Sequence, residues 1–194
     1  MKIVAVTGSI GCGKTYISNI IRSLGYNVFD ADKEVRFLYK NKYFLSLVKQ
    51  NFPLVFNGNI FNKKKLRDLV FNNDEKLKKL ESIIHPLLKK KLKEKIKKTY
   101  KNSDLLFIDA ALIFEMNWDI YCDYIILADV DKEIQKQRVI NRDKISEQDF
   151  KKIIAKQMDN DIKKNNVDII INTELPDGVM KCLLIEFISE ITDA

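Results

Sequence analysis

Gly8-Ser9-Ile10-Gly11-Cys12-Gly13-Lys14-Thr15 satisfies the spacing G-x-x-x-x-G-K-[ST], and it lies between two segments that give that spacing meaning. Before it, Ile3-Val4-Ala5-Val6 is a short apolar run with valine at two positions, which reads as a buried parallel strand. After it, a helix is expected from Lys14 to about Leu24, stopped by Gly25 in the position of a C-cap. A strand, a glycine turn and a helix in that order fold the backbone N–H groups inward around a concave nest. The helix N-terminus adds partial positive charge, so the nest suits phosphate oxygens. Lys14 is then expected to reach the β- and γ-phosphates of a nucleoside triphosphate, and the Thr15 hydroxyl to hold Mg2+. Gly8, Gly11, Cys12, Gly13 and Tyr16 complete the expected nucleotide-binding loop.

Downstream, a short strand at Asn27–Phe29 runs into Asp30-Ala31-Asp32, which places two carboxylates where open parallel sheets bind their ligands. The strand pattern returns in Leu105-Leu106-Phe107-Ile108-Asp109 and Tyr124-Ile125-Ile126-Leu127-Ala128-Asp129, and once more at Asp168–Ile171. Between these runs the pattern is helical. Pro53 and Asn57-Gly58-Asn59 mark turns, and Pro86 reads as lying early in a long basic helix. A break near Asp143–Ser146, with Ser146 capping a new helix three residues before Asp149, makes a lid of two helices and a hinge. The expected architecture is one α/β domain, a three-layer α/β/α fold around a parallel five-stranded sheet. Its core is expected at about 1–34, 102–131 and 167–194, a helical insertion at about 35–101, and the lid at about 132–166.

The chain has 194 residues, 46% hydrophobic and 31% charged, enough apolar material for a core and too much for intrinsic disorder. No run approaches the roughly 20 apolar residues of a membrane span, and Met1–Gly8 has too few for a secretion signal. Cys12, Cys122 and Cys182 are odd in number and far apart, which suggests neither a disulfide framework nor a zinc knuckle and fits a reducing cytoplasm. The net charge of +7 favours acidic partners without choosing among them. Much of it sits in Lys89–Lys98, behind the apolar stripe Ile84, Leu88, Leu92, Ile96. A run of lysines along one helix reads as a solvated face rather than a nucleic-acid footprint, which needs converging charges. Neither a nucleic acid nor a membrane is an expected partner; a monomer is the expected state, an oligomer the alternative.

A triphosphate loop alone leaves kinase, switch and motor open. No N-K-x-D is present for guanine, and Asp109 continues Ala110-Ala111-Leu112 rather than the D-x-x-G of a switch. What remains suits transfer of a phosphoryl group to a small alcohol: Asp32, Asp109 on a neighbouring strand, and Arg138 with Arg142 four residues on, on one helix face. Arginines on a lid can close over the transferring group and neutralise its charge.

Taken in order, the loop Gly8–Thr15, Asp30-Ala31-Asp32 with Arg36, Leu66-Arg67 before Phe71, His85-Pro86, Asp109 through Leu112-Ile113-Phe114-Glu115, Arg138 with Arg142-Asp143, Ala155, Gln157-Met158 and Val167-Asp168 resemble the dephospho-coenzyme A kinases over essentially the whole chain. The resemblance implies ATP-dependent phosphorylation of the ribose 3′-hydroxyl of dephospho-coenzyme A, yielding coenzyme A and ADP. Carried over to matching positions, it makes Asp32, Lys14 and Arg142 catalytic, with Asp32 orienting or deprotonating the acceptor hydroxyl. It also places Arg138 and Arg142 on the nucleotide, and Asp32, Arg36, Arg67, His85 and Asp109 on the acceptor side. His85 reads equally as a structural histidine beside Pro86, and Asp30 as a structural or cap residue. Asp109 could hold a metal-bound water or hydrogen-bond the acceptor.

The chain departs from the usual pattern at Cys12 (usually Ser), Tyr16 (Thr), Ala111 (Pro) and Asn160 (often Arg). Loss of a cation at Asn160 puts one lid-to-nucleotide contact in question, and Tyr16 is expected to stack near the nucleotide or turn to the core. Cys12, in an anion nest beside Lys14, is expected either to have a lowered thiol pKa and be alkylated readily unless ATP covers it, or to be a small residue tolerated where Ser is usual. Two rivals remain: a kinase for another small molecule, and a non-catalytic protein that holds nucleic acid through Lys89–Lys98.

Overall fold

In the computed structural model, which describes residues 1–71 and 73–193, the first apolar run becomes strand β1 (Lys2–Thr7), buried from Val4 to its end. The glycine turn follows, then helix α1 (Lys14–Ser23), whose Ile17, Ile20 and Ile21 face inward at helical spacing. Gly25, at φ +91°, ends that helix as expected, and strand β2 (Asn27–Asp30) follows. The chain divides into two compact units, Met1–Asp30 with everything from Ile96 onward, and Ala31–Lys95.

The second unit holds helices α2 (Ala31–Leu38), α3 (Lys42–Asn51), α4 (Lys63–Phe71) and most of α5 (Asp74–Thr99). Strands β3 (Phe56–Asn57) and β4 (Ile60–Phe61) form a small antiparallel hairpin there. The Asn57-Gly58-Asn59 turn is therefore a hairpin turn, and Phe56, Phe61 and Tyr39 gather around it with ring centroids 5.3 to 5.8 Å apart. Pro86 is not early in α5. The helix starts twelve residues upstream, where Asn73 Oδ1 accepts the Lys76 N–H and Asp74 and Glu75 complement the positive end of the helix dipole. Pro86 thus lies in the interior of α5, where it removes one helical donor. The lysines of α5 line its outer side while Ile84, Leu88 and Leu92 are buried, and Lys91 pairs with Glu34 of α2 at 2.5 Å.

In the first unit, β5 (Leu105–Asp109), β6 (Tyr124–Asp129) and β7 (Ile169–Asn172) complete a parallel five-stranded sheet of order β2-β5-β1-β6-β7. The central place of β1 explains its burial. Its neighbours β5 and β6 both end in aspartate, so Asp109 and Asp129 flank the turn that β1 feeds. Helices α6 (Lys132–Asp143), α7 (Glu147–Ile154) and the single turn α8 (Asn160–Lys163) lie between β6 and β7, and α9 (Asp177–Asp193) closes the chain. Lys144 at φ +53° stops α6, and Ser146 caps α7 by accepting the Asp149 N–H, as the sequence suggests. Val4, Val6, Ile17, Ile21, Phe107, Ile126, Leu184 and Ile188 build the core of this unit. Each such side chain, fully buried, contributes about 1.5–3 kcal/mol. Among the described residues no helix is long and apolar enough to cross a membrane.

Candidate active site

The turn from β1 into α1 is a glycine-built nest. Gly11 and Gly13 both sit at φ +85°, a conformation that L side chains rarely adopt. A Cβ on Gly11 would come within 2.5 Å of Val139 Cγ2, and one on Gly13 within 2.8 Å of Thr173. Both glycines are therefore required by conformation and by space. Helix α1 has no side-chain cap and no acidic residue in its first turn, whereas Asn41, Asp131, Ser146 and Asp159 cap α3, α6, α7 and α8. The N-terminus of α1 thus has no side-chain cap or carboxylate to compete with an anion, while the Tyr16 N–H is held by the Gly13 carbonyl at 2.9 Å. Lys14 is nearly buried and its ammonium is ion-paired with Asp109 at the end of β5, which fixes Asp109 beside the loop. Thr15 follows, exposed in the first turn of α1.

Thr173, just past β7, connects the loop to α6. Its hydroxyl donates to the Cys12 carbonyl at 3.0 Å and accepts from Arg138 Nη1 at 2.8 Å, while Arg138 Nη2 donates to the Thr173 carbonyl at 3.0 Å. Arg138 is thereby half-buried and aimed at the loop. Arg142, one turn further on, is exposed and forms a bidentate pair with Asp143, with both bonds at 2.8 Å, and this raises its pKa. The two arginines share a helix but not an environment.

Cys12 corrects an expectation. Its thiol is 1% exposed and its pKa is pushed up to about 11, chiefly by burial and then by the charge of Asp129. The Asn160 amide, Lys163 and Arg138 act the other way and are outweighed. The thiol is a small apolar filler of the core rather than an activated nucleophile. Tyr16 does not turn to the core: it is 38% exposed, with its hydroxyl bonded to Asp177, which raises its pKa.

Asn160 is buried and lies against the loop. Its Oδ1 accepts from Ser9 N at 3.2 Å and Ser9 Oγ at 2.9 Å, and its Nδ2 donates to Asp129 Oδ1 at 2.8 Å. Gln157 Oε1 accepts the Ile10 N–H at 2.9 Å, and Gln135 Nε2 donates to the Ile10 carbonyl at 2.8 Å. Lys163, fully buried, donates to the Ala111 carbonyl at 3.0 Å and lies 3.7 Å from Glu115. Burial lowers the Lys163 pKa against the pull of Glu115. A cavity of about 780 Å3 opens beside Ser9, between the end of β6 and helices α6 and α7, with Gln135, Gln157 and Asn160 on its wall.

The remaining candidates lie in the second unit. Asp32 and Arg36 are exposed on α2 and, four residues apart, share one face. Arg67 is exposed on α4, and His85 is half-buried in α5 just before Pro86. Asp30, in the first unit, ends β2 and accepts from Arg22 Nη2 at 3.3 Å.

Comparison with known proteins is consistent along the whole chain. A family model described as dephospho-CoA kinase matches residues 2–177. A dephospho-CoA kinase from Bartonella quintana is 39% identical over 174 residues, 89% of each chain. One from Fusobacterium nucleatum is 37% identical over 183 residues, 90% of this chain and 92% of its own. Among solved structures, a dephospho-CoA kinase from Campylobacter jejuni superposes with a TM-score of 0.71 at 29% identity, covering 100% of this chain and 98% of the other. A Thermus thermophilus structure reaches 0.83 at 26% identity over 97% of both. A shikimate kinase from Bacteroides thetaiotaomicron, at 0.56 and 12% identity, shares the fold alone.

Proposed function

The chain belongs to the dephospho-CoA kinase family, and from that footing we propose that it moves the γ-phosphoryl of ATP, with Mg2+, to the ribose 3′-hydroxyl of dephospho-CoA, giving CoA and ADP. The single observation that carries the nucleotide half is the loop itself: two glycines whose φ and neighbours strain any side chain, a helix N-terminus without a side-chain cap, and Lys14 buried beside Asp109. The Thr15 hydroxyl and the Asp109 carboxylate are hard oxygen donors, and a magnesium held mainly by phosphate oxygens asks for one or two of these from the protein. When bound, Mg2+ neutralises charge developing between the β- and γ-phosphates.

Lys14 shifts from Asp109 toward the phosphates as they enter, and Arg138, already aimed at the loop through Thr173, meets the nucleotide from the other side. Arg142 leaves Asp143 for the transferring phosphoryl as residues 132–166 act as a lid. The insertion at about 35–101 takes the acceptor through Arg36, Arg67 and His85, which hold its pyrophosphate and neighbouring groups, while Asp32, just before the insertion, orients its hydroxyl. Transfer through a loose transition state asks little of a base, so Asp32 acts by position at least as much as by proton abstraction.

A panel of acceptors tests this reading. ADP release from ATP and Mg2+ is expected with dephospho-CoA and not with AMP, CMP or shikimate. Turnover of one of the other acceptors in preference would replace the acceptor, and turnover of none would favour a nucleotide-binding protein without transfer. The kinase reading goes with a cytoplasmic location, where thiols such as that of exposed Cys182 stay reduced.

A further inference from the structure

Gln157, Asn160 and Lys163 recur at intervals of three, and each reaches a different part of the same machinery. Gln157 accepts the Ile10 N–H, Asn160 accepts the Ser9 N–H, and Lys163 donates to the carbonyl of Ala111, two residues beyond Asp109. Between them, the Met158 N–H donates to Glu115 Oε1 at 2.8 Å, a second tie to the segment after β5. One short stretch of chain therefore holds the outer arch of the phosphate loop on one side and the loop after β5 on the other. Those are the two segments that adjoin Lys14, at the start of α1, and Asp109, at the end of β5.

We propose that residues 157–163 form a brace that fixes the phosphate loop against the loop after β5 before nucleotide arrives, with Gln157 as its principal positioning residue. The Ser9 and Ile10 amides are engaged by side chains and the Cys12 amide by the Ser9 carbonyl at 3.1 Å, so the arch is held by the chain's own acceptors. Gln157 acts through the backbone of Ile10, whose N–H it accepts. An arch left without its acceptor would have to be ordered by the nucleotide at the moment of binding, which weakens affinity without touching the acceptor side.

The inference rests on the nucleotide reading of the loop, and its test is built around Gln157→Leu and Gln157→Glu, the latter keeping an oxygen at the Ile10 N–H. Calorimetric titration with ADP and Mg2+, without acceptor, is expected to give a Kd raised about tenfold in the Leu variant and within about threefold of the parent in the Glu variant. The KM for ATP should follow the same order while the KM for dephospho-CoA stays within about twofold. Native-state hydrogen exchange on the unchanged protein provides a measurement that no folding defect can spoil, and the Ile10 amide should be protected without nucleotide. An ADP Kd in the Leu variant within twofold of the parent, an equal loss in the Glu variant, or an Ile10 amide exchanging like a free loop would each overturn the brace. Because ADP binding is read without acceptor, failure to phosphorylate dephospho-CoA would count against the acceptor assignment and leave the brace standing.

Discussion

Substitution of Gly13 by alanine separates the two reasons that position must be glycine. At φ +85° an alanine costs about 1–2 kcal/mol for the left-handed conformation alone. The added methyl would also lie 2.8 Å from both Cβ and Cγ2 of Thr173 and 2.9 Å from its hydroxyl. Thr173 cannot step aside cheaply, since its hydroxyl is bonded to the Cys12 carbonyl and Arg138, and its N–H to the Asp129 carbonyl at 2.9 Å. Overpacking of that kind costs about 1–3 kcal/mol more, for about 2–5 kcal/mol in all. Gly25 is the control: it has nearly the same φ, +91°, and no atom lies within 4 Å of where its Cβ would stand, so Gly25→Ala should cost only the conformational part. Urea unfolding of the two variants, both in the first unit, measures the difference. Equal destabilisation by the two substitutions would show that Thr173 yields freely and that the contact between the phosphate loop and the end of β7 is not a tight one.

Three further expectations concern single residues. The Cys12 thiol, raised to about 11 from an ordinary 9.0, stays protonated in the folded chain between those values while the unfolded chain ionises, so stability falls as pH rises from 9 to 11, by about 3 kcal/mol at most. Cys12→Ser should flatten that part of the alkaline limb of a thermal-stability profile, and an unchanged slope would refute the burial argument; in the parent, exposed Cys182 should be alkylated well before Cys12 in a mass-spectrometric time course. Asp32→Asn should lower kcat by a large factor and leave the KM for ATP nearly unchanged in steady-state kinetics, whereas a change confined to ATP affinity would move Asp32 off the acceptor side. Asn160→Arg, which introduces the cation that the resemblance often places there, should raise the KM for ATP, because arginine has no acceptor for the Ser9 N–H; a lowered KM would mean that the amide is only a substitute for the missing charge.

The phosphate loop, the strands and the ends of α1 and α7 were legible because their signals are local. Glycine spacing, an apolar run and a Ser with Asp three residues on each act within a few residues of themselves. The hairpin at Phe56–Phe61 was only half legible, since two-residue strands leave no periodicity around the Asn57-Gly58-Asn59 turn. Pro86 misled because proline is favoured at helix starts, while Asn73 and the acidic pair after it were a competing and correct start signal. Thr173 and Lys163 left no usable mark, and Gln157 entered only within the Gln157-Met158 block, without a role. Polar residues three apart look the same whether they face water or a loop over a hundred residues away in sequence, and only the assembled sheet brings the end of β7 beside the loop. The Cys12 thiol failed for a related reason: a helix N-terminus and a lysine are visible in sequence, but the burial and the Asp129 carboxylate that outweigh them are not.

The destination of the phosphoryl group is the decisive observable. Phosphorus and proton NMR of the product made from ATP, Mg2+ and dephospho-CoA should show a new phosphomonoester on the ribose 3′ carbon, with the pyrophosphate unchanged and one ADP formed for each. A phosphate at the 2′ position or on the pantetheine end, or ADP formed with dephospho-CoA left intact, would contradict the assignment.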